Sequence, residues 1–205
     1  MKKAKKIPGI PEQTRGAFHD TEDRKDFMVP ELAVQKFEIL KERFFSINYW
    51  KDYCGGLSAE FKLYDQSGSF VDRKPKTGDY VRINIPAPDN TDANYDWVKI
   101  VNMDDQTYND DELERYLITC RPSKAPGSRN NHIAHFYSAE STSNFVITLG
   151  QDYIKIGVYG RNEIPNTSRT GFWGKIRNFL ISLFGGYTRL AKIQWKSLTE
   201  GLLDF

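Results

Sequence analysis

Asn144-Phe145-Val146-Ile147-Thr148-Leu149-Gly150-Gln151-Asp152-Tyr153-Ile154-Lys155-Ile156-Gly157-Val158-Tyr159 decides how this chain is read. Two strand-like runs flank Gly150-Gln151-Asp152, a turn. Ile154, Ile156 and Val158 recur with a period of two, which puts them on one face of a strand. The stretch therefore predicts an antiparallel hairpin.

Working towards the N-terminus, the same pattern recurs. Trp97 to Met103, Tyr116 to Arg121 and His132 to Ser138 read as strands. In Tyr80 to Ile85, Val81, Ile83 and Ile85 share a face. Leu57 to Tyr64 runs into the turn Asp65-Gln66-Ser67-Gly68, and Ser69-Phe70-Val71 returns. The proline- and asparagine-rich 86–92 and the polar 122–131 read as loops. Before these strands, Pro30 to Phe45 reads as a helix. Proline suits its first turn, and Leu32, Val34, Phe37, Leu40, Phe44 and Phe45 form its apolar face.

Two helices follow the hairpin. In the first, Phe172, Ile176, Phe179, Leu180 and Leu183 recur at helical spacing, with Trp173 and Phe184 on the flank, and Gly185-Gly186 stops it. The second starts near Thr188 and turns Ala191, Trp195, Leu198 and Leu202 to one side. The expected fold is α+β: a twisted antiparallel sheet or partial barrel covered by one N-terminal and two C-terminal helices. Residues 30–205 form a single domain in this reading. Residues 1–29 are polar, with Lys2, Lys3, Lys5 and Lys6 at their start, and are read as a flexible basic arm for a partner.

The chain has 205 residues and a net charge of only +2, so no strong field draws in nucleic acid. No apolar run reaches the roughly 20 residues of a membrane-spanning helix. Met1 to Lys6 is not followed by an apolar signal region, and Cys54 and Cys120 show no CxxC spacing. The expected location is the cytoplasm.

Catalytic constellations are missing. There is no GxGxxG or GxxxxGK[ST], no GxSxG and no HExxH. His132 and His135, three apart on the same strand, point to opposite faces and cannot share a metal without a bulge. The acidic Asp104 to Glu114 lacks the order of a calcium loop and reads as a solvated loop entering a short helix. Ser138, Ser141, Thr142 and Ser143 surround Glu140 in what reads as a turn rather than a hydrolase site. Tyr80, Arg82, Tyr153, Lys155 and Tyr159 would need to share one exposed face to bind nucleic acid. No cofactor and no metal are expected.

The densest polar cluster is Gly160-Arg161-Asn162-Glu163-Ile164-Pro165-Asn166-Thr167, read as a loop between the last strand and a helix. It has two readings. In one it is a connector, with Arg161 paired to Glu163 and Thr167 or Ser168 capping the helix. In the other, Arg161, Asn162, Glu163 and His135 line a pocket between the sheet and the C-terminal helices. The sequence alone does not disclose an activity. Its leading expectation is a non-enzymatic interaction protein in a larger assembly, through protein partners or self-association, with Phe172 and Trp173 as contact residues. The alternatives are a small-molecule-binding protein or enzyme using that pocket, and attachment to a membrane surface through Phe172 to Phe184.

Overall fold

The computed structural model describes residues 3–54, 59–84, 95–129, 133–166 and 187–205, with the backbone alone for 187–193. Strand β1 (Ala17–Asp26) is followed by helix α1 (Pro30–Phe45). A 3-10 turn at Ile47–Tyr49 runs into the short helix α2 (Trp50–Tyr53). Then come β2 (Glu60–Tyr64), β3 (Tyr80–Asn84), β4 (Asp96–Asp104), β5 (Glu112–Pro122), β6 (Thr142–Gly150), β7 (Tyr153–Glu163) and helix α3 (Tyr187–Leu202). The strands form one seven-stranded sheet in the order β1-β7-β6-β5-β4-β3-β2, with every pairing antiparallel. The helical stretch after β1 carries the chain to the far edge, and the meander from β2 returns it to β7 beside β1.

The inner face of the sheet holds the main core. Val98, Ile100, Ile118, Phe145, Ile147, Ile154, Ile156 and Val158 pack with Phe37, Leu40 and Phe44 of α1 and Leu198 and Leu202 of α3. The alternation read in β7 and β3 is realised for Ile154, Ile156, Val158 and Val81, all buried. In α1 the buried stripe is Ala33, Phe37, Leu40 and Phe44. Leu32 and Val34, assigned to that face from the sequence, are exposed instead. A helical face is fixed by the 3.6-residue period, and the large side chains at 37, 40 and 44 select the stripe that places small Ala33 against the core.

The segment 1–29 departs from the arm it was read as. Ala17–Asp26 is β1, paired along its length with β7. Residues 5–15 lie across the outer face of the sheet as a strap. Ile7 and Ile10 pack on Leu117, Val146 and Tyr159, and Arg115 Nη2 donates to the Pro8 carbonyl at 2.7 Å. Lys5 Nζ is paired with Glu22. Burial works to raise the Glu22 carboxyl, but hydrogen bonds from Lys5 and Tyr159 and the charge of Lys155 outweigh it and hold the group at about 2. The strap has a physical motive. Leu117, Val146 and Tyr159 are the outward-facing residues of β5, β6 and β7, and without a cover they would form an exposed apolar patch.

Other expectations also shift. The helix is not N-terminal, since β1 precedes it. The described part of the run expected as a strand, 133–138, is not one: Tyr137 makes only an isolated bridge to Pro165. The acidic segment leads directly into β5, with Asp104 and Glu112 capping backbone and side-chain groups of 106–109. The helix expected over Phe172 to Phe184 lies outside the described residues. Among the described residues, no helix is long and apolar enough to cross a membrane.

Candidate ligand site at the end of strands β1 and β7

The register gathers one set of strand ends. Ala17 faces Glu163, Thr142 faces Arg161, Val98 faces Pro122 and Glu60 faces Asn84. The starts of β1, β2, β4 and β6 thus share an edge with the ends of β3, β5 and β7. Strand-end loops on a rigid sheet are where binding groups concentrate.

A β-bulge reshapes this edge. His19 pairs with Gly160 and Ala17 with Glu163, so two residues of β1 span what three residues of β7 span. The extra residue is accommodated at Asn162, the one described non-glycine residue with positive φ, at 54°. A bulge shifts the alternation of side chains beyond it. Arg161 keeps the outward direction of Tyr159, whereas Glu163 turns inward beside His19, on the face of Gly160.

Glu163 Oε1 lies 2.8 Å from His19 Nδ1, and both side chains are 5% exposed. Tyr137 donates its hydroxyl to Glu163, and its phenol is raised by burial first and then by the Glu163 charge. A carboxylate only accepts, so against Glu163 it is His19 Nδ1 that carries a hydrogen. The His19 Nε2 is buried and has no hydrogen-bond partner among the described residues. The ring lies 6.2 Å from, and nearly parallel to, the indole of Trp195 on α3. Phe145 and Phe61 meet the same indole at 5.5 and 6.3 Å. Gly160 makes room for the pair: a Cβ there would collide with Glu163 Oε1 and His19 Nδ1.

The outer side of the bulge is a clamp on the strap. Asn162 Oδ1 accepts from the Thr14 amide, the Thr14 hydroxyl and the Arg15 amide at 2.9, 3.1 and 3.2 Å. Its Nδ2 donates to the Glu12 carbonyl, and its backbone N–H donates to Gln13 Oε1. Arg161, 1% exposed, faces Asp20 at 2.8 Å and donates to the carbonyls of Gly160, His19 and Lys5.

The sequence-named residues therefore part company. Arg161 and Glu163 do not pair with each other; the bulge sends them to opposite faces, to Asp20 and to His19. Gly160 to Glu163 is strand rather than loop. Asn162 is a structural clamp. His135 is buried in the 133–141 connection, where Nδ1 accepts the Tyr137 amide at 2.9 Å. Burial pushes its imidazole down to about 3, against a smaller opposing effect of that hydrogen bond. Phe172, Trp173 and Lys2 lie outside the described residues, while Lys3 and Lys6 are exposed on the strap. Ser141 Oγ donates to the Asn162 carbonyl and accepts the Ile164 amide, a bracing role rather than that of a nucleophile. Tyr80 and Arg82 lie on β3, with three strands between it and β7, which carries Tyr153, Lys155 and Tyr159, and Tyr159 is under the strap, so the five share no exposed face. Among the described residues, no group of His, Cys, Asp and Glu side chains is placed to hold a metal.

His19, Tyr137 and Trp195 were missed as site residues. His19 sits in Phe18-His19-Asp20-Thr21-Glu22-Asp23-Arg24, whose charged residues conceal a strand pattern. A charged edge strand is the expected form of a protected sheet edge.

No protein-family model matches the chain, and no curated protein matches it. Solved structures do resemble it. The hypothetical protein jhp0584 from Helicobacter pylori has 10% identity and a TM-score of 0.48, with 97% of this chain and 98% of that one covered. Major latex-like protein 151 from Panax ginseng has 11% identity and a TM-score of 0.38, covering 92% and 97%. Truncated norcoclaurine synthase from Thalictrum flavum has 8% identity and a TM-score of 0.35, covering 95% and 99%.

Proposed function

We propose that this protein binds a small molecule between the loop-bearing end of its sheet and the C-terminal helical layer, with the His19–Glu163 pair as the polar end of the site. One observation carries the reading: a buried imidazole, oriented by a carboxylate, keeps an unpartnered nitrogen among aromatic side chains. Buried polar atoms are almost always satisfied, and the exceptions concentrate where a protein does chemistry or binds. A few convergent polar groups in an aromatic setting is the composition of ligand sites. One motive for the interaction-protein reading was a free basic arm; here residues 5–15 of that segment cover the chain's own sheet.

The test is a titration of isotope-labelled protein with 1-anilinonaphthalene-8-sulfonate, an apolar aromatic probe, followed by NMR. The expected result is a saturable one-site curve whose shifts centre on His19, Glu163 and the Trp195 indole. Absence of saturable binding, or shifts confined to the outer strap, overturns the reading.

A further inference from the structure

The strap covers only part of the outer face of the sheet, where it packs on Leu117, Val146 and Tyr159 of β5, β6 and β7. On β2, β3 and β4, Phe61, Leu63, Val81, Val98 and Ile100 belong to the core, so the residues between them face out. The register lines these up in two rows across the strands. One row runs Tyr64, Tyr80, Lys99, Arg121, and the next runs Lys62, Arg82, Trp97. Tyr80 and Arg82 thus lie on an aromatic and basic face after all, with neighbours on β2 and β4 rather than on β7. We propose that this face binds single-stranded nucleic acid, its rings stacking on bases and its cations meeting phosphates. The proposal is independent of the small-molecule site, which lies on the other side of the sheet.

Charge favours this occupant. Every charged side chain in the two rows is a cation. Glu60, further along β2, approaches Lys62 at 3.8 Å, but among the described residues no carboxylate pairs with Arg82, Lys99 or Arg121. Rings hold two of these cations instead. The Arg82 guanidinium lies 4.2 Å from the ring centroid of Tyr95 and 5.4 Å from that of Tyr64, and Lys99 Nζ lies 5.4 Å from that of Tyr80. Such contacts position a charge without neutralising it. Arg82 Nε has no hydrogen-bond partner among the described residues. A phosphate oxygen is the natural complement of a guanidinium left in this state.

The rings favour it as well. Tyr64 meets Trp97 at 5.1 Å and 64°, and Phe70 at 6.0 Å and 80°. An edge-to-face contact occupies one ring face and leaves the others open to a flat partner. Phe70 is 54% exposed, and Tyr64, Tyr80 and Trp97 are partly exposed. Cross-strand ring pairs stabilise a sheet by themselves, but that role does not call for unpaired cations between them. Stacking rings interleaved with cations are the composition of single-strand platforms. A duplex keeps its base faces stacked inside and offers these rings nothing.

The test uses the full chain with fluorescein-labelled oligothymidylate and oligouridylate of about 12 nucleotides, within the usual span of single-strand sites, read by fluorescence anisotropy. Saturable binding is expected, and the tighter of the two strands identifies DNA or RNA as the partner. The logarithm of the binding constant should fall against the logarithm of salt with a slope of about −2, as for about three phosphate contacts on a single strand. Trp97→Ala should weaken binding about tenfold, the usual effect of removing a stacking ring, with the slope unchanged. Arg82→Gln should make the slope shallower by about 0.7. Lys51→Gln, at an exposed position on α2, should change neither. Because Trp97 also packs on Tyr64, the wild type gives a second reading: its Trp97 indole resonance should shift when the strand binds. Absence of saturable binding, or binding that leaves the Trp97 indole unmoved, overturns the proposal. So does equally tight binding of heparin, a polyanion without bases, that Trp97→Ala leaves unaltered, since the face would then recognise charge alone.

Discussion

At the scale of single residues, the account turns on a few positions that sequence composition does not mark. Gly160 is one. Any side chain there intrudes between His19 and Glu163, so Gly160→Ala should separate the pair and destabilise the fold by about 1–3 kcal/mol, the usual range for overpacking a filled site. Denaturant unfolding gives the stability. The His19 imidazole resonances report the separation, and an unchanged spectrum would contradict the assigned geometry. Asp20 is another. Its partner Arg161 is 1% exposed, and removing one member of a buried ion pair typically costs about 3–5 kcal/mol. Asp20→Ala should fall in that range, and a loss below about 1 kcal/mol would show that the carbonyl acceptors around Arg161 suffice without it.

His135 gives a pH prediction at the same scale. Its folded pKa is lowered to about 3 from 6.5 because burial disfavours the imidazolium. Between those values the unfolded chain binds the extra proton and the native one does not. Stability from this group is therefore fully present above about pH 6.5 and is lost as pH falls towards about 3, with a limiting slope of about 1.4 kcal/mol per pH unit. His135→Asn should flatten the stability profile in that window relative to wild type, and an identical profile would exclude His135 as its source. Cys120, whose thiol is raised to about 12 by burial, should stay unmodified by thiol reagents until the protein unfolds.

At the scale of elements, the bulge couples two faces of the sheet. Asn162 holds residues 12–15 of the strap outside, and its left-handed backbone turns Glu163 inward. Asn162→Gly tests the side chain without straining the backbone, since glycine accepts positive φ freely. It should speed hydrogen exchange across 5–16 and lower stability by about 1–3 kcal/mol, the penalty for unmatching buried polar groups. Unaltered exchange there would mean the strap is held by Ile7, Ile10 and Arg115 alone. Asn162→Ala should be worse by the added cost of a side chain at φ 54°. Elements with a clean period were readable: the hairpin of β6 and β7, the helix from Pro30 to Phe45, and the C-terminal helix with Leu198 and Leu202 inward. The elements that escaped have no period to read. β1 is almost wholly polar. The strap is irregular chain that turns at Ile7–Ile10 and is held by Pro8, by Asn162 and by two isoleucines. The inward turn of Glu163 depends on a bulge, whose partner strand lies some 140 residues away.

At the scale of the whole molecule, the order of elements legible in the sequence was enough for an α+β antiparallel sheet with helical cover. It did not give the closing of the chain on itself, in which the first strand pairs with the last and the segment before it crosses the outer face. That closure makes the site, because His19 and Glu163 meet only when β1 lies against β7. Half of the pair was legible: Glu163 stood in the polar cluster singled out from the sequence, while His19 stood in a segment with no visible structure. The central claim is that this closure produces an imidazole oriented by Glu163, with its buried Nε2 left without a partner among the described residues. The most direct measurement is a long-range proton–nitrogen correlation spectrum of the His19 side chain in wild type and in Glu163→Leu. The account predicts a ring that carries a hydrogen on Nδ1 in the wild type, and loss of that fixed arrangement in the variant. A wild-type ring with no hydrogen on Nδ1, or one that the variant leaves unchanged, would contradict it.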